Sequence, residues 1–269
     1  MPSYDLGASP DAHACTRVGP LRALPAAPAD DSLSSLTATV AMLSAQAGVR
    51  ALLLDRATLR RAARLLQHHE AAPEPATGVL DPLPPPWRLH RRERRVDEAI
   101  GLLSALRSSP VPVVATTMGP EPLPAAAVAL LGAADVVLAT RDAEFDFADA
   151  FEHLAPAPAA AFLVPGRLSP GAFRHLLLTG RRLGAEQARS LGLVDEVIEP
   201  GHLDAHVEAL GRRLGALSRE AVSQMKRFCA ELLEPAVEVR VRLARDHVLR
   251  APAAHDAPQE VDWRSSRSR

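Results

Sequence analysis

The run "FDFADAFEH" carries an aspartate and a histidine, Asp149 and His153, four residues apart. If the segment is helical the two share a face, and a carboxylate beside an imidazole can take up and release protons near neutral pH. The same residues also read as a solvated or capping carboxylate and a packed or surface imidazole. A second cluster, "RLHRRERRVDEA", holds Arg88, Arg91, Arg92, Arg94 and Arg95. It suits a nucleotide phosphate or an acidic carrier protein, or else it is the solvated start of a helix. His68 and His69 are adjacent, so they do not share a helix face, and no third ligand stands at a recognisable spacing. With Cys15 and Cys229 the only cysteines, neither a metal site nor a disulfide framework is expected. No P-loop, dinucleotide fingerprint or nucleophile elbow occurs, so no cofactor is expected.

The elements that must position these residues follow an alternating rhythm. "DDSLSSLTATVAMLSAQAG" opens on Asp and Ser capping candidates, repeats apolar residues at Leu33, Leu36, Val40 and Leu43, and stops at Gly48; it reads as a helix. "VRALLLD", "VPVVATTM" and "ADVVLAT" are short apolar runs of buried-strand type, and "VDEAIGLLSALRSSP" is a helix with Val96, Ile100, Leu103 and Leu106 on one face. This is the β-α-β order of an α/β domain. The proline-rich "AAPEPATGVLDPLPPPW" is expected to be a surface loop or flap. Beyond residue 160 the chain turns mostly helical, through "GAFRHLLLTG", "GAEQARSLG", "LDAHVEALGRRLGAL" and "SREAVSQMKRFCAELL", with a short "LVDEVI" strand among them.

A chain of 269 residues suffices for one sizeable domain, with or without a helical appendage. An aromatic share of 3% and a net charge of -1 argue against a nucleic-acid stacking surface. Lys226 is the only lysine among 31 Lys and Arg side chains, a bias read as compositional rather than as a binding signal. No stretch of about 18 apolar residues and no basic-then-apolar leader is present, so a cytoplasmic protein without a membrane partner is expected. Residues 1–15 and 251–269 are expected to be flexible ends.

The segment "LLLTGRRLGAEQARSLGLVDEVIEPGHLDAHVEALGRRLGALSREAVSQMKR" resembles the enoyl-CoA hydratase/isomerase (crotonase) superfamily. The resemblance is carried by Leu177 to Arg181, Ala185 to Ala188, Gly192 to Val194, and Lys226 with Arg227. Upstream, "SSPVPVVATTMGP", "AADVVLATRDAEF" and "DDSLSSLTATVAMLSAQAGVRALLLD" match further family segments, so the likeness covers roughly residues 25 to 230. "FEHLAPAPAAAFLVPGRL" is similar, less closely, to members acting on polyketide β-branch intermediates.

The resemblance implies an α/β fold built as a crotonase-like ββα spiral, with a core over 16–160 and a helical C-terminal trimerisation region over 161–250. It implies a homotrimer or dimer of trimers and an acyl thioester, on coenzyme A or an acyl carrier protein, as partner. The family's shared chemistry is stabilising the enolate-like oxyanion formed at the thioester with two backbone N–H groups, while carboxylates move protons. In "MGPEPLPAAAVALLGAADVVLA" the family's three glycines fall on Ala125, Ala126 and Ala127, and its first catalytic Glu falls on Ala129. The loop is two residues longer than in the family and carries Pro120, Pro122 and Pro124, which supply no N–H. Ala126 remains a candidate oxyanion donor. The other donor would come from the remnant "ATGVLD", at Val79 or Leu80, or that remnant is a plain flap.

The family's second catalytic carboxylate falls on Asp149, shortened by one methylene, with His153 in place of a glycine. Arg91, Arg92 and Arg95 are the candidate phosphate-binding residues. Asp146 and Glu152 are read as solvated, and Asp135 as structural. The expected function is dehydration/hydration or double-bond isomerisation of an acyl thioester in secondary-metabolite (polyketide) biosynthesis. The alternative is a catalytically inactive crotonase-fold partner of another acyl-thioester enzyme.

Overall fold

All four residues of "ALLL", Ala51–Leu54, are buried, as are all five of Val113–Thr117; strands covered on both faces belong inside a parallel sheet. The computed structural model describes residues 17–18, 21–24, 32–67, 86–148, 166–233 and 237–250. Its elements are β1 (Arg17–Val18), β2 (Leu21–Ala23), α1 (Leu33–Ala45), β3 (Ala51–Leu54), α2 (Arg56–Gln67), α3 (Pro86–Arg107), β4 (Val113–Thr117), β5 (Leu123–Pro124) and α4 (Ala125–Leu131). There follow β6 (Val136–Thr140), β7 (Glu144–Asp146), α5 (Pro170–Thr179), β8 (Leu183–Gly184), α6 (Ala185–Ser190), β9 (Glu196–Ile198), α7 (Leu203–Ala216), α8 (Arg219–Leu233) and α9 (Val237–Arg250).

The larger sheet has the order β1-β2-β3-β4-β6-β9 and the smaller the order β5-β7-β8. All pairs of the larger sheet are parallel except β1 with β2. A strand of the larger sheet is followed by a strand of the smaller one, β4 by β5 and β6 by β7, so the chain winds from sheet to sheet as the expected α/β spiral. Strands β8 and β9, from the helical C-terminal part, complete both sheets.

Alternation along the strands divides the core. Leu52, Leu54, Val113, Ala115, Val137 and Ala139 join the main cluster with α1–α6, while Leu53, Val114 and Leu138 point to the opposite face and pack with Leu203 and Val207 of α7.

Two aspartates repeat one device. Asp135, just before β6, donates its N–H to Val113 O and accepts the Val113 N–H at 2.7 Å. Asp195, just before β9, does the same with Val137, at 2.7 Å. Each carboxylate also holds a cation, Lys226 at 2.6 Å and Arg167 at 2.9 Å. Charge-assisted bonds of this kind fix strand register at the sheet's lower edge, and Asp135 is structural as expected. Gly192, in the "GLV" of the family-like stretch, has φ 88 and lies where a Cβ would stand 2.5 Å from Arg167 O; the close approach and the left-handed backbone both require glycine.

Several elements differ from expectation. The "PAAA" segment, read as loop, is the first turn of α4. Helix α3 begins at Pro86, inside the stretch expected to be irregular, because proline at the first helical position removes an N–H that has no partner there anyway. Helix α9 falls inside the helical region expected over 161–250, although no periodic segment is singled out there. No helix among the described residues is long and apolar enough to cross a membrane.

Candidate functional site

Strands β4 and β6 lie side by side, with Thr117 opposite Ala139, and their C-terminal ends are where parallel α/β sheets place ligands. Beyond β4 the chain turns at Gly119, whose φ is 77. The Gly119 N–H donates to Thr140 Oγ1 at 3.1 Å, and that buried hydroxyl donates to Asp142 Oδ1 at 2.5 Å. The hydrogen bond from Thr140 holds the Asp142 carboxyl below the usual carboxylate range, against a smaller opposing effect of burial.

The same loop is gripped from α2. Asp55 starts that helix, its Oδ1 accepting the Thr58 N–H at 2.8 Å, and the helix buries Leu59, Ala62 and Ala63. Burying that stripe turns Arg56 and Arg60, one helical turn apart, toward the loop. Arg56 Nη1 donates to Gly119 O at 3.3 Å and Nη2 to Glu121 O at 2.6 Å, while Arg60 Nη2 donates to Pro122 O at 3.2 Å. The Glu121 carboxylate, 68% exposed, pairs with both guanidinium groups, and the Arg60 hydrogen bond holds it below the usual range. Burial, reinforced by Arg60, lowers the Arg56 guanidinium from its ordinary value; an arginine still carries its charge at neutral pH.

The loop delivers the chain through β5 into α4. Pro124 precedes the helix with φ -68 and ψ 157 and makes no side-chain cap. The first N–H groups of a helix have no acceptor within it, and a helix start favours negative charge. Ala126 is the second residue of α4, 1% exposed. Its backbone is helical, so alanine carries no strain where the resemblance expects glycine. Ala129, where the resemblance puts the first catalytic carboxylate, is 3% exposed and sits in the main core cluster. The parallel register of β5 on β7, Leu123 opposite Phe145 and Pro124 opposite Asp146, brings the first turn of α4 beside the chain leaving β7.

Asp149, His153, Val79, Leu80 and Glu152 lie outside the described residues, as do His68 and His69. The last described residue before Asp149 is Ala148, whose N–H donates to Asp146 Oδ1 at 2.9 Å. Asp146 itself departs from expectation: it is paired rather than solvated, with Arg182 Nη2 2.7 Å from its Oδ2, because β7 and β8 adjoin in the small sheet. The backbones of Arg91, Arg92 and Arg95 lie in the N-terminal half of α3, and their side chains are outside the described residues. Nearby, a groove of about 550 Å³ between α1 and α3 is lined by Ser34, Thr37, Glu93, Arg94, Asp97, Glu98 and Gly101. Arg245 of α9 bonds Glu93 and, at 2.7 Å, Asp97. The surroundings of the arginine cluster are therefore mixed in charge. Among the described residues no group of three or more His, Cys, Asp or Glu could hold a metal ion.

Sequence reasoning missed Arg56, Arg60, Thr140 and Asp142. The one available signal was the i, i+4 spacing of Arg56 and Arg60 on a helix whose other stripe is apolar.

Comparison with known proteins gives a family model described as enoyl-CoA hydratase/isomerase, matching residues 92–262. Carnitinyl-CoA dehydratase from Escherichia coli K12 is 28% identical over 118 residues, 44% of this chain and 45% of that protein. The enzyme of the same name from Proteus mirabilis is 26% identical over an equal span. The match spans under half the length of these curated relatives. Among solved structures, an enoyl-CoA hydratase from Mycobacterium avium superposes with a TM-score of 0.64 at 24% identity, over 86% of this chain and 85% of that one. One from Shewanella pealeana gives 0.61 at 18% identity, over 87% of each. At these identities the structural likeness speaks for the fold.

Proposed function

Because the chain belongs to the enoyl-CoA hydratase/isomerase family, we propose that it binds an acyl thioester with the carbonyl oxygen at the first turn of α4 and catalyses dehydration/hydration or double-bond isomerisation. The observation that carries this reading is the helical, unstrained Ala126 at position two of α4, set at the C-terminal ends of the parallel strands. A donor fixed there stabilises the oxyanion formed when the α-carbon gains or loses a proton. The matched relatives are dehydratases by name, which favours a 3-hydroxyacyl or 2-enoyl thioester. Asp149 supplies the acid/base group, with His153 as its partner, and Val79 the second N–H donor. Arg91, Arg92 and Arg95 receive the anionic end of coenzyme A or of an acyl carrier protein. The likeness of "FEHLAPAPAAAFLVPGRL" to polyketide-branch members supports a place in polyketide biosynthesis in the cytoplasm.

Turnover of 3-hydroxyacyl and 2-enoyl thioesters, each on coenzyme A and on carrier protein, tests the reading. We expect conversion of at least one pair. Affinity at low salt should fall when Arg91, Arg92 and Arg95 are replaced together by Ala, since surface charge is least screened there. Absence of both binding and turnover overturns the proposal.

The second reading, a catalytically inactive partner protein, is favoured by Ala129. Buried among apolar residues, it leaves α4 without a proton carrier. Binding without turnover is the outcome that selects it.

Assembly as a homotrimer or dimer of trimers through 161–250 belongs to the same proposal. Met225, Phe228 and Leu232 are 61%, 58% and 62% exposed and line one face of α8, an apolar stripe of the kind that subunits cover. Size-exclusion chromatography with light scattering should return three or six times the 28.7 kDa chain mass. A clean monomer at micromolar concentration contradicts it.

A further inference from the structure

We propose that Arg56 and Arg60 are positioning residues for the oxyanion donor of α4, acting through the carbonyl groups of the loop at 119–122. The inference rests on the acyl-thioester reading of that site.

The loop has an unusual need. Pro120, Pro122 and Pro124 fix φ at every second residue and remove every second N–H, so the segment has half the backbone donors a strand or turn ordinarily offers. Its carbonyl groups remain as handles. Arg56 takes Gly119 O and Glu121 O, and Arg60 takes Pro122 O, so two guanidinium groups hold three of four consecutive carbonyls. A planar fork suits this task because one side chain can donate to two acceptors in fixed geometry.

The two arginine side chains are 18% and 28% exposed, and the far more exposed Glu121 carboxylate bridges them. From the other side Thr140 holds the Gly119 N–H. Leu123 follows, fully buried, then Pro124, and two residues later comes Ala126. The gripped loop ties α2 to the chain entering α4, and the two helices also pack directly on each other. Shifting the loop shifts the first turn of α4, and displacing a reacting geometry by about 1 Å can cost about 10²-fold in rate.

The test compares wild type, Arg56→Ala, Arg56→Lys and Arg60→Ala. Steady-state turnover of the thioester converted by wild type should show kcat falling about tenfold to 10²-fold in Arg56→Ala, with KM within about threefold. Arg56→Lys should recover only part of the loss, because one ammonium cannot reproduce a fork across two carbonyls. Arg60→Ala, which loses one carbonyl bond, should show a smaller fall. In parallel, the ¹H–¹⁵N resonance of Ala126 should move in each variant while that of Val207, in the opposite core cluster, stays in place. An unchanged kcat with an unmoved Ala126 resonance overturns the clamp. If wild type neither binds nor converts a thioester, the proposed function fails, and the Ala126 resonance still decides the clamp. Should Arg56→Ala fail to fold, Arg56→Lys and Arg60→Ala make the same comparison, and an unmoved resonance in both overturns it.

Discussion

Asp149→Asn is expected to cut turnover by about 10²- to 10⁴-fold, the scale set by loss of a general acid/base, while thioester binding and thermal stability stay close to wild type. Ala129 stands where the resemblance puts the family's first catalytic carboxylate. With that position apolar and buried, α4 offers no carboxylate, and the proposed acid/base role falls to Asp149, where the resemblance puts the family's second carboxylate. Asp149 follows directly on Ala148, where the chain leaves β7, and β7 pairs in parallel with β5 at the entrance to α4. Neighbouring strands lie about 4.8 Å apart, so the first turn of α4 and the described residues Phe147 and Ala148 share one end of the small sheet. Asparagine keeps the shape of the side chain but replaces one acceptor oxygen by an NH2 donor, and it neither takes up nor releases a proton at neutral pH. Ala126→Gly is the companion. As Ala126 is already helical, glycine should not raise the rate, and it should cost up to about 1 kcal/mol of stability. A rate gain would mean that alanine displaces the N–H. A turnover unchanged by Asp149→Asn would remove this residue from the chemistry.

The second large effect is on stability. Asp135→Ala should destabilise the fold by about 2–4 kcal/mol, since deleting the more exposed member of a partly buried pair leaves the Lys226 charge uncompensated and a backbone donor unpaired. Lys226 is 14% exposed and depends on Asp135 and on Val111 O, at 2.6 and 3.1 Å. Burial lowers its ammonium from the usual lysine value, partly offset by Asp135. The Val113 N–H, which Asp135 accepts, starts the central strand β4. Lys226→Met should cost far less, about 1 kcal/mol, because Asp135 keeps the Val113 N–H and the methionine stem fills the same space. Chemical denaturation of both variants checks the order; equal costs would contradict the asymmetry.

Much of this architecture was legible in the residues. The stripe Leu33, Leu36, Val40 and Leu43 is buried in α1 as its period requires, and the apolar runs of β3, β4 and β6 became the parallel sheet. Asp135 was read as structural, and it is. What escaped notice depended on partners distant in sequence or on patterns without a period. Helix α4 is apolar and small all round, so no face distinguished it from a loop, and the prolines before it argued the wrong way. The Arg56 partners lie 63 and 65 residues away, a distance over which spacing says nothing. The arginine-rich composition, read as a compositional bias, serves the structure: Arg167 grips Leu131 O and Ala134 O, and Arg219 grips Ser44 O, Gln46 O and Val49 O, the same use of a guanidinium fork as in the loop before α4. Asp146 was read as solvated because its partner, Arg182, lies 36 residues on, beyond a segment whose course the residues alone did not reveal.

The central claim is that the start of α4 stabilises a thioester oxyanion, and exchange of the substrate's α-proton tests it most directly. A saturated acyl-CoA offers no group to eliminate, so incubating it with the protein in deuterated water isolates enolate formation from the rest of the reaction. Deuterium should enter the α-position in wild type, with the exchange rate falling about 10²- to 10⁴-fold in Asp149→Asn. A protein that binds the acyl-CoA yet leaves its α-proton unexchanged would contradict the account and leave the fold as a binding partner.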